Sequence, residues 1–188
     1  MFSPLRSGIH CALRAKAWRR DYPGAEWFDV VTPRGRVLGR APRPVCHGGP
    51  KLLHGVVHLH LFDARGRLYL QKRSRSKDIQ PGRWDSSVGG HIDSGETVGE
   101  ALVREAREEL GILGFRPEFL KTYVWTSDRE AELVHSHRTV WTGEEPRFDP
   151  GEIDEGRWWE PAEIEAALEG GAFTPNFRWE WEHLLRNL

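Results

Sequence analysis

The sequence predicts an α+β fold in which a mixed sheet is covered by helices. Three observations carry that expectation. Runs rich in β-formers recur between Glu26 and Glu160, with Gly, Pro and Asp at the joints. One long stretch near the middle switches its apolar residues to helical spacing. Two shorter helical stretches close the chain after Pro161. The 188 residues, 38% of them hydrophobic and 29% charged, suffice for one folded domain with a sizeable core. The expected division is an N-terminal extension over residues 1–25, helical or irregular, and a single domain over 26–188.

The elements follow in order. Glu26–Gly39 reads as a hairpin: an apolar run, a Pro/Gly turn and a second apolar run. Ala41–Pro50 reads as a loop on its Pro and Gly content. His54–Arg73 reads as a second hairpin that turns at Asp63–Gly66. There Val57, Leu59 and Leu61 alternate with His58 and His60, so the two histidines are expected on a solvated face. A basic loop, Ser74–Ser87, leads toward the central helix. Glu118–Ser127, Glu132–Gly143 and Glu155–Glu160 read as strands. Pro161 suits the first turn of a helix that Gly170 and Gly171 end. In the tail Phe177, Trp181, Leu184, Leu185 and Leu188 share one helical face.

Composition narrows the function. A net charge of −1 gives no support for binding to a nucleic-acid polymer or an anionic membrane. Cys11 and Cys46, with no CxxC, form neither a disulfide framework nor a cysteine-rich zinc site, and free thiols suit a cytoplasmic setting. No apolar run is long enough to span a bilayer, and no signal-peptide core is visible. Residues 1–20 carry Arg6, Arg14, Lys16, Arg19 and Arg20 and no acid. A short helix is the simpler reading of them, a basic arm or transit peptide the alternative.

The chemistry concentrates in the central helix. Thr97 and Glu100 form a T-x-x-E capping box, and Gly111 is a natural stop, so the helix spans about 97–110. Its inward stripe runs through Val98, Ala101, Leu102, Ala106 and Leu110, but Glu105 and Glu109 stand on the same stripe. Glu108 joins them at the same side. Three like charges repel, and they face the negative end of the helix dipole. A divalent cation offsets such a cluster: hard cations such as Mg²⁺ take carboxylate oxygens and keep room for water and phosphate oxygens. The competing reading is an exposed, ion-paired helix end built on Glu100, Arg104 and Glu108, and it leaves Glu105 and Glu109 unexplained. Upstream, Gly89-Gly90 and Ser94-Gly95 bracket a tight loop where backbone can approach a ligand.

From Gly90 the pattern is five residues, Glu96, seven residues, Arg104-Glu105, Ala106, one residue, Glu108-Glu109, one residue, Gly111, Ile112. These 23 residues resemble the Nudix box at every defined position. The resemblance implies an α/β/α sandwich with a central mixed sheet, preceded here by an N-terminal β-hairpin extension. It implies Mg²⁺- or Mn²⁺-dependent cleavage of a nucleoside diphosphate-linked or other organic diphosphate by water attack on phosphorus. It also implies roles. Glu105, Glu108 and Glu109 bind metal, with Glu96 as an outer contributor. Arg104 orients the carboxylates and joins Glu105 and Glu108 in the catalytic set. Gly90 and Gly111 are the loop and cap glycines.

The stretch from Leu52 to His91 further resembles the branch of this superfamily that contains isopentenyl-diphosphate isomerase, and the likeness covers roughly residues 26–175. In that branch His47, His54 and His91 correspond to a histidine metal site. The isomerase needs a cysteine where this chain has Gly89, and its box is degenerate where this one is complete. Both departures favour hydrolysis. An isomerase-like activity and a non-catalytic Nudix-fold binding module stay as alternatives. The expected partner is a small-molecule diphosphate, and a homodimer is left open. Phosphate contacts are expected from Lys72, Arg73 and Arg83 with the backbone at Gly89 and Gly90, and ring stacking from Trp84 or Trp125. The general base stays open among the box glutamates and Asp128, Glu130, Glu132, Glu152, Asp154 and Glu155.

Overall fold

Strand and helix alternate as the period-2 and 3.6-residue patterns demand. A computed structural model describes residues 16–49, 51–77 and 79–188. The basic residues Arg6 and Arg14, and Cys11, lie outside the described residues. Helical residues 16–21 (α1) precede the hairpin β1 (Trp27–Val31) and β2 (Val37–Pro42). Next come α2 (Arg43–Cys46), β3 (His54–Phe62), β4 (Leu68–Arg73), β5 (Trp84–Asp85), β6 (Val88–His91) and α3 (Val98–Leu110). The rest comprises β7 (Glu118–Thr126), β8 (Ala131–Val140), β9 (Ile153–Trp159), α4 (Pro161–Ala167) and α5 (Pro175–Glu180). The α+β class is the one expected. Among the described residues no helix is long and apolar enough to cross a membrane.

The chain divides into two compact units. The first takes in the chain up to Val57 with His91–Ala101 and Thr122–His135. In it β1 pairs antiparallel with β2 and, at Val30–His54, with β3. Trp18, Phe28, Val30, Ala41, Cys46 and Leu52 form one core cluster. Trp18 therefore ties part of the expected extension into this core. The second unit takes in His58–Gly90, Leu102–Lys121 and Ser136–Leu188. Here β4 pairs antiparallel with β3, β5 and β9, and a parallel bridge joins Trp84 to Phe173. Its core gathers Leu68, Leu70, Trp84, Trp159, Ile164, Phe173, Phe177 and Trp181.

Three details depart from the sequence expectations. Residues 41–50 are not all loop: β2 reaches Pro42, and α2 follows, with Pro in its first turn where the missing N–H costs nothing. His58 and His60 are not solvated; they are 8% and 0% exposed, because β3 is covered on both faces. The tail does not keep one helical face to its end. Thr174 caps α5 at Phe177 N–H, but the chain then widens into a π-helical turn over Trp181–Leu185, and Leu188 is exposed.

The capping box on α3 formed as read. Thr97 Oγ1 accepts from Glu100 N–H at 3.3 Å, and the Glu100 carboxylate accepts from Thr97 N–H at 2.9 Å. Gly111, at φ 64°, ends the helix. Thr97→Ala should cost about 1 kcal/mol. Urea denaturation monitored by circular dichroism would measure it, and a midpoint equal to the native one would deny the cap its role.

Candidate functional site

The box glutamates gather in the second unit. Ala106 and Leu110 are fully buried and hold α3 down, which sets the direction of Glu105 and Glu109. The Glu105 carboxylate lies against the Cα of Gly90, in the volume a Cβ there would fill. Arg104 reaches both Glu105, at 2.7 Å, and Glu108, at 3.3 Å. Glu108 is mostly exposed. Glu109 turns toward the sheet: its Oε2 accepts from Gln71 Nε2 at 2.9 Å and from Gly89 N–H at 3.0 Å. Burial and then the neighbouring Glu105 charge push the Glu109 pKa up to about 8, against the pull of Gly89, Gln71 and Arg73. A cation placed between these carboxylates would relieve both effects. The donor set, carboxylate oxygens only, fits a hard divalent ion.

Gln71 was missed from the sequence. Its only signal there is a polar residue inside the otherwise apolar start of β4, and the partner that explains it is 38 residues away.

The basic loop of this unit is engaged with protein groups. Arg73 donates to Ile79 O at 3.0 Å and to Asp85 at 3.3 Å. Arg83 donates to Phe173 O at 3.3 Å. Lys72 pairs with Glu155 at 3.6 Å, Lys77 pairs with Glu152, and Arg75 N–H donates to Asp154. Three of the acids weighed as a general base are thus partners of this loop. Trp84 is 8% exposed, with Lys72 and Arg157 over its ring and Trp159 edge-on at 5.1 Å. That packing makes it a core residue and leaves its ring covered rather than open for stacking. Trp125 stays half-buried on β7.

The first unit holds a second cluster. His47, His54 and His91 converge, and Glu130, just before β8, and Glu132, within it, group with His91. His47 Nε2 and His91 Nε2 are 3.0 Å apart; Glu130 stands 3.7 Å from His47, and Glu132 3.9 Å from His91. Phe28 stacks on His54 and His91 at 5.2 and 4.5 Å and fixes the ring planes. His54 donates Nδ1–H to Leu52 O at 2.8 Å, so its Nε2 carries the lone pair. That Nε2 is buried and has no hydrogen-bond partner. Burial lowers the pKa of His54 to about 4, opposed by the Leu52 carbonyl. Burial, then His54, Arg43 and Arg129, lowers that of His47 to about 4 as well. Both rings are neutral at pH 7, as metal ligation requires. Three imidazoles with two carboxylates suit a first-row transition ion. Glu130 and Glu132 were weighed from the sequence only as bases; their place beside the histidines is a tertiary result. Glu96 lies in this unit, its carboxylate accepting from Asp93 N–H at 3.0 Å.

A complete box, its glycine backed by the Glu105 carboxylate, and a paired carboxylate site together point to one family. The NUDIX domain family matches residues 51–177, and the chain belongs to it. It is a hydrolase acting on pyrophosphate bonds, and enzymes of this family generally use divalent metals. A Nudix hydrolase of Deinococcus radiodurans is 35% identical over 153 residues, covering 78% of this chain and 85% of the relative. The isopentenyl-diphosphate Delta-isomerase of Nocardia farcinica is 33% identical over 153 residues, covering 78% and 87%. A crystal structure of a Deinococcus radiodurans protein superposes with a TM-score of 0.65 at 32% identity, covering 82% of this chain and 96% of that one.

Proposed function

We propose that this chain cleaves a nucleoside diphosphate-linked or other organic diphosphate by water attack on phosphorus, with Mg²⁺ or Mn²⁺ held by Glu105, Glu108 and Glu109. The observation that carries the reading is the Glu105–Glu109 pair. Two neighbouring carboxylates are held by the loop backbone: Glu105 lies on Gly90, where a Cβ would occupy its volume, and Glu109 accepts from the Gly89 N–H. Arg104 holds Glu105 and Glu108 in the same group. Glu105, Glu108 and Glu109 would hold the ion, whose chemistry there would be stabilisation of the negative charge that develops on the diphosphate. Gln71 and the Gly89 N–H orient the Glu109 carboxylate.

The experiment is a screen of purified protein with Mg²⁺ and with Mn²⁺ against nucleotides, nucleotide sugars, dinucleotides and isopentenyl diphosphate. Glu108→Gln is expected to abolish metal-dependent phosphate or pyrophosphate release. Activity that survived the substitution would remove Glu108 from the ligand set.

A second reading, isomerisation of isopentenyl diphosphate, is favoured by the His47–His54–His91–Glu130–Glu132 cluster, which fits a transition ion. It is opposed by Gly89, which brings no thiol to the loop. In the same screen, double-bond migration without phosphate release would select the isomerase.

A further inference from the structure

Neither reading uses the other histidines of β3. His58 and His60 meet Glu180 in a buried cluster of the second unit. Glu180 is the last residue of α5, 122 residues along the chain from His58, where the helix widens into its π-helical turn. The cluster stands apart from the diphosphate site. A Cβ on Gly89 would meet the His58 ring and one on Gly90 the Glu105 carboxylate, so the two groups lie on opposite faces of β6.

The polar atoms of the three side chains converge. His58 Nδ1 is 2.9 Å from Glu180 Oε2, and His60 Nε2 is 3.3 Å from Oε1. Ser136 Oγ stands 3.2 Å from the same His60 nitrogen. Ligands of one tetrahedral ion, each about 2.0–2.1 Å from it, are about 3.3 Å from one another. The cluster is close to that spacing already. It is also withdrawn from water: the side chains of His60 and Glu180 have no exposed surface, and that of His58 keeps 10%.

Two features call for a cation here. Glu180 is ionised: burial opposes this, but His58 and His60 outweigh burial and hold its carboxyl well below the usual carboxylate range. A buried carboxylate needs positive charge beside it. Among the described residues, moreover, Glu180 Oε1 is buried with no hydrogen-bond partner, although His60 Nε2 is near it. Hydrogen bonding within the cluster satisfies one carboxylate oxygen and leaves the other over. Two imidazoles and a carboxylate suit a borderline transition ion such as Zn²⁺ rather than Mg²⁺, which takes oxygen ligands.

We propose that His58, His60 and Glu180 are the protein ligands of a structural ion of the Zn²⁺ class that fastens α5 to β3, with Ser136 Oγ as the nearest fourth donor. Ligation needs each ring neutral, with its lone pair on the nitrogen that faces Glu180, so the ion displaces the hydrogen presented there. It joins segments 122 residues apart, and its effect is on the stability of the fold rather than on the reaction. The site is independent of the hydrolase reading above.

The test is equilibrium dialysis of the native protein, Glu180→Gln and His60→Gln against Zn²⁺, with the metal content of each read by mass spectrometry. The native protein should retain one ion per chain more than either variant. His47, His54 and His91 are the same in all three proteins, so whatever they bind cancels in the difference. At about a 100-fold excess of Zn²⁺ over its dissociation constant, the thermal midpoint of the native protein should rise by about 5 °C more than that of Glu180→Gln. A readout that needs no substitution runs beside these: nitrogen-15 spectra of the native protein titrated with Zn²⁺, in which the ring signals of His58 and His60 should move together. If the variants do not fold, that titration decides. Equal zinc content in the native protein and Glu180→Gln overturns the proposal, as do His58 and His60 rings that ignore Zn²⁺. Either result makes the cluster a hydrogen-bonded core group only and leaves the hydrolase reading standing, whereas an absence of phosphate release from the native protein would sink that reading.

Discussion

Gly90→Ala should reduce metal-dependent phosphate release by about 10²-fold, the scale of loss that a displacement of about 1 Å brings to a reacting group. The added Cβ would occupy the volume of the Glu105 carboxylate. That carboxylate ends a flexible side chain, but moving it aside breaks its pair with Arg104 at 2.7 Å. Either α3 lifts or Glu105 leaves its partners, and both outcomes spoil the ion site. The neighbouring position supplies the control. A Cβ at Gly89 would meet Ser86 Oγ at 3.3 Å and the His58 ring at 3.5 Å, contacts that small shifts accommodate. Gly89→Ala should therefore be much milder. Measured kcat and Mg²⁺ dependence of the two proteins would check this. A Gly90→Ala enzyme as active as Gly89→Ala would refute the close-approach account of the box glycine.

Glu180→Ala should destabilise the protein by about 3–5 kcal/mol, the usual result of removing one partner from a buried ionic group. It strands His58 and His60 in an interior where His60 Nδ1 already has no hydrogen-bond partner. The pH dependence has a definite sign. The folded carboxyl titrates below its ordinary value of 4.5, so its contribution is fully present above pH 4.5. It is lost as the pH falls through the lower folded value. The difference in thermal midpoint between native and Glu180→Ala proteins should be largest near pH 7 and shrink on acidification below about 4.5. A difference that grew in acid would show that Glu180 is not held ionised by the two rings.

Much of the acidic site was legible in the sequence because it is local. The box lies on one loop and one helix, and helical geometry alone places Glu105, Glu108 and Glu109 on one side. The capping box and Gly111 fixed the ends of that helix for the same reason: each bond spans only a few residues. The reach of the basic loop was not legible. Arg73, Arg83 and Lys72 read as phosphate contacts, but their partners Asp85, Phe173 and Glu155 depend on strand pairing and on the return of the chain after β9.

The histidines of β3 mark the same boundary. His54, His58 and His60 alternate along one strand, and alternation alone puts them on one face. What each meets there is set by other segments: His47 and His91 for the first, Glu180 for the other two. The period of a strand is written in its own residues, but the cover of its faces comes from chain that folds back from far away. The sequence by itself thus determined the family, the reaction class and the direction of the glutamates. Only the tertiary structure decided that Glu130 and Glu132 join the three histidines, and that a face expected to meet water is closed by a carboxylate from α5.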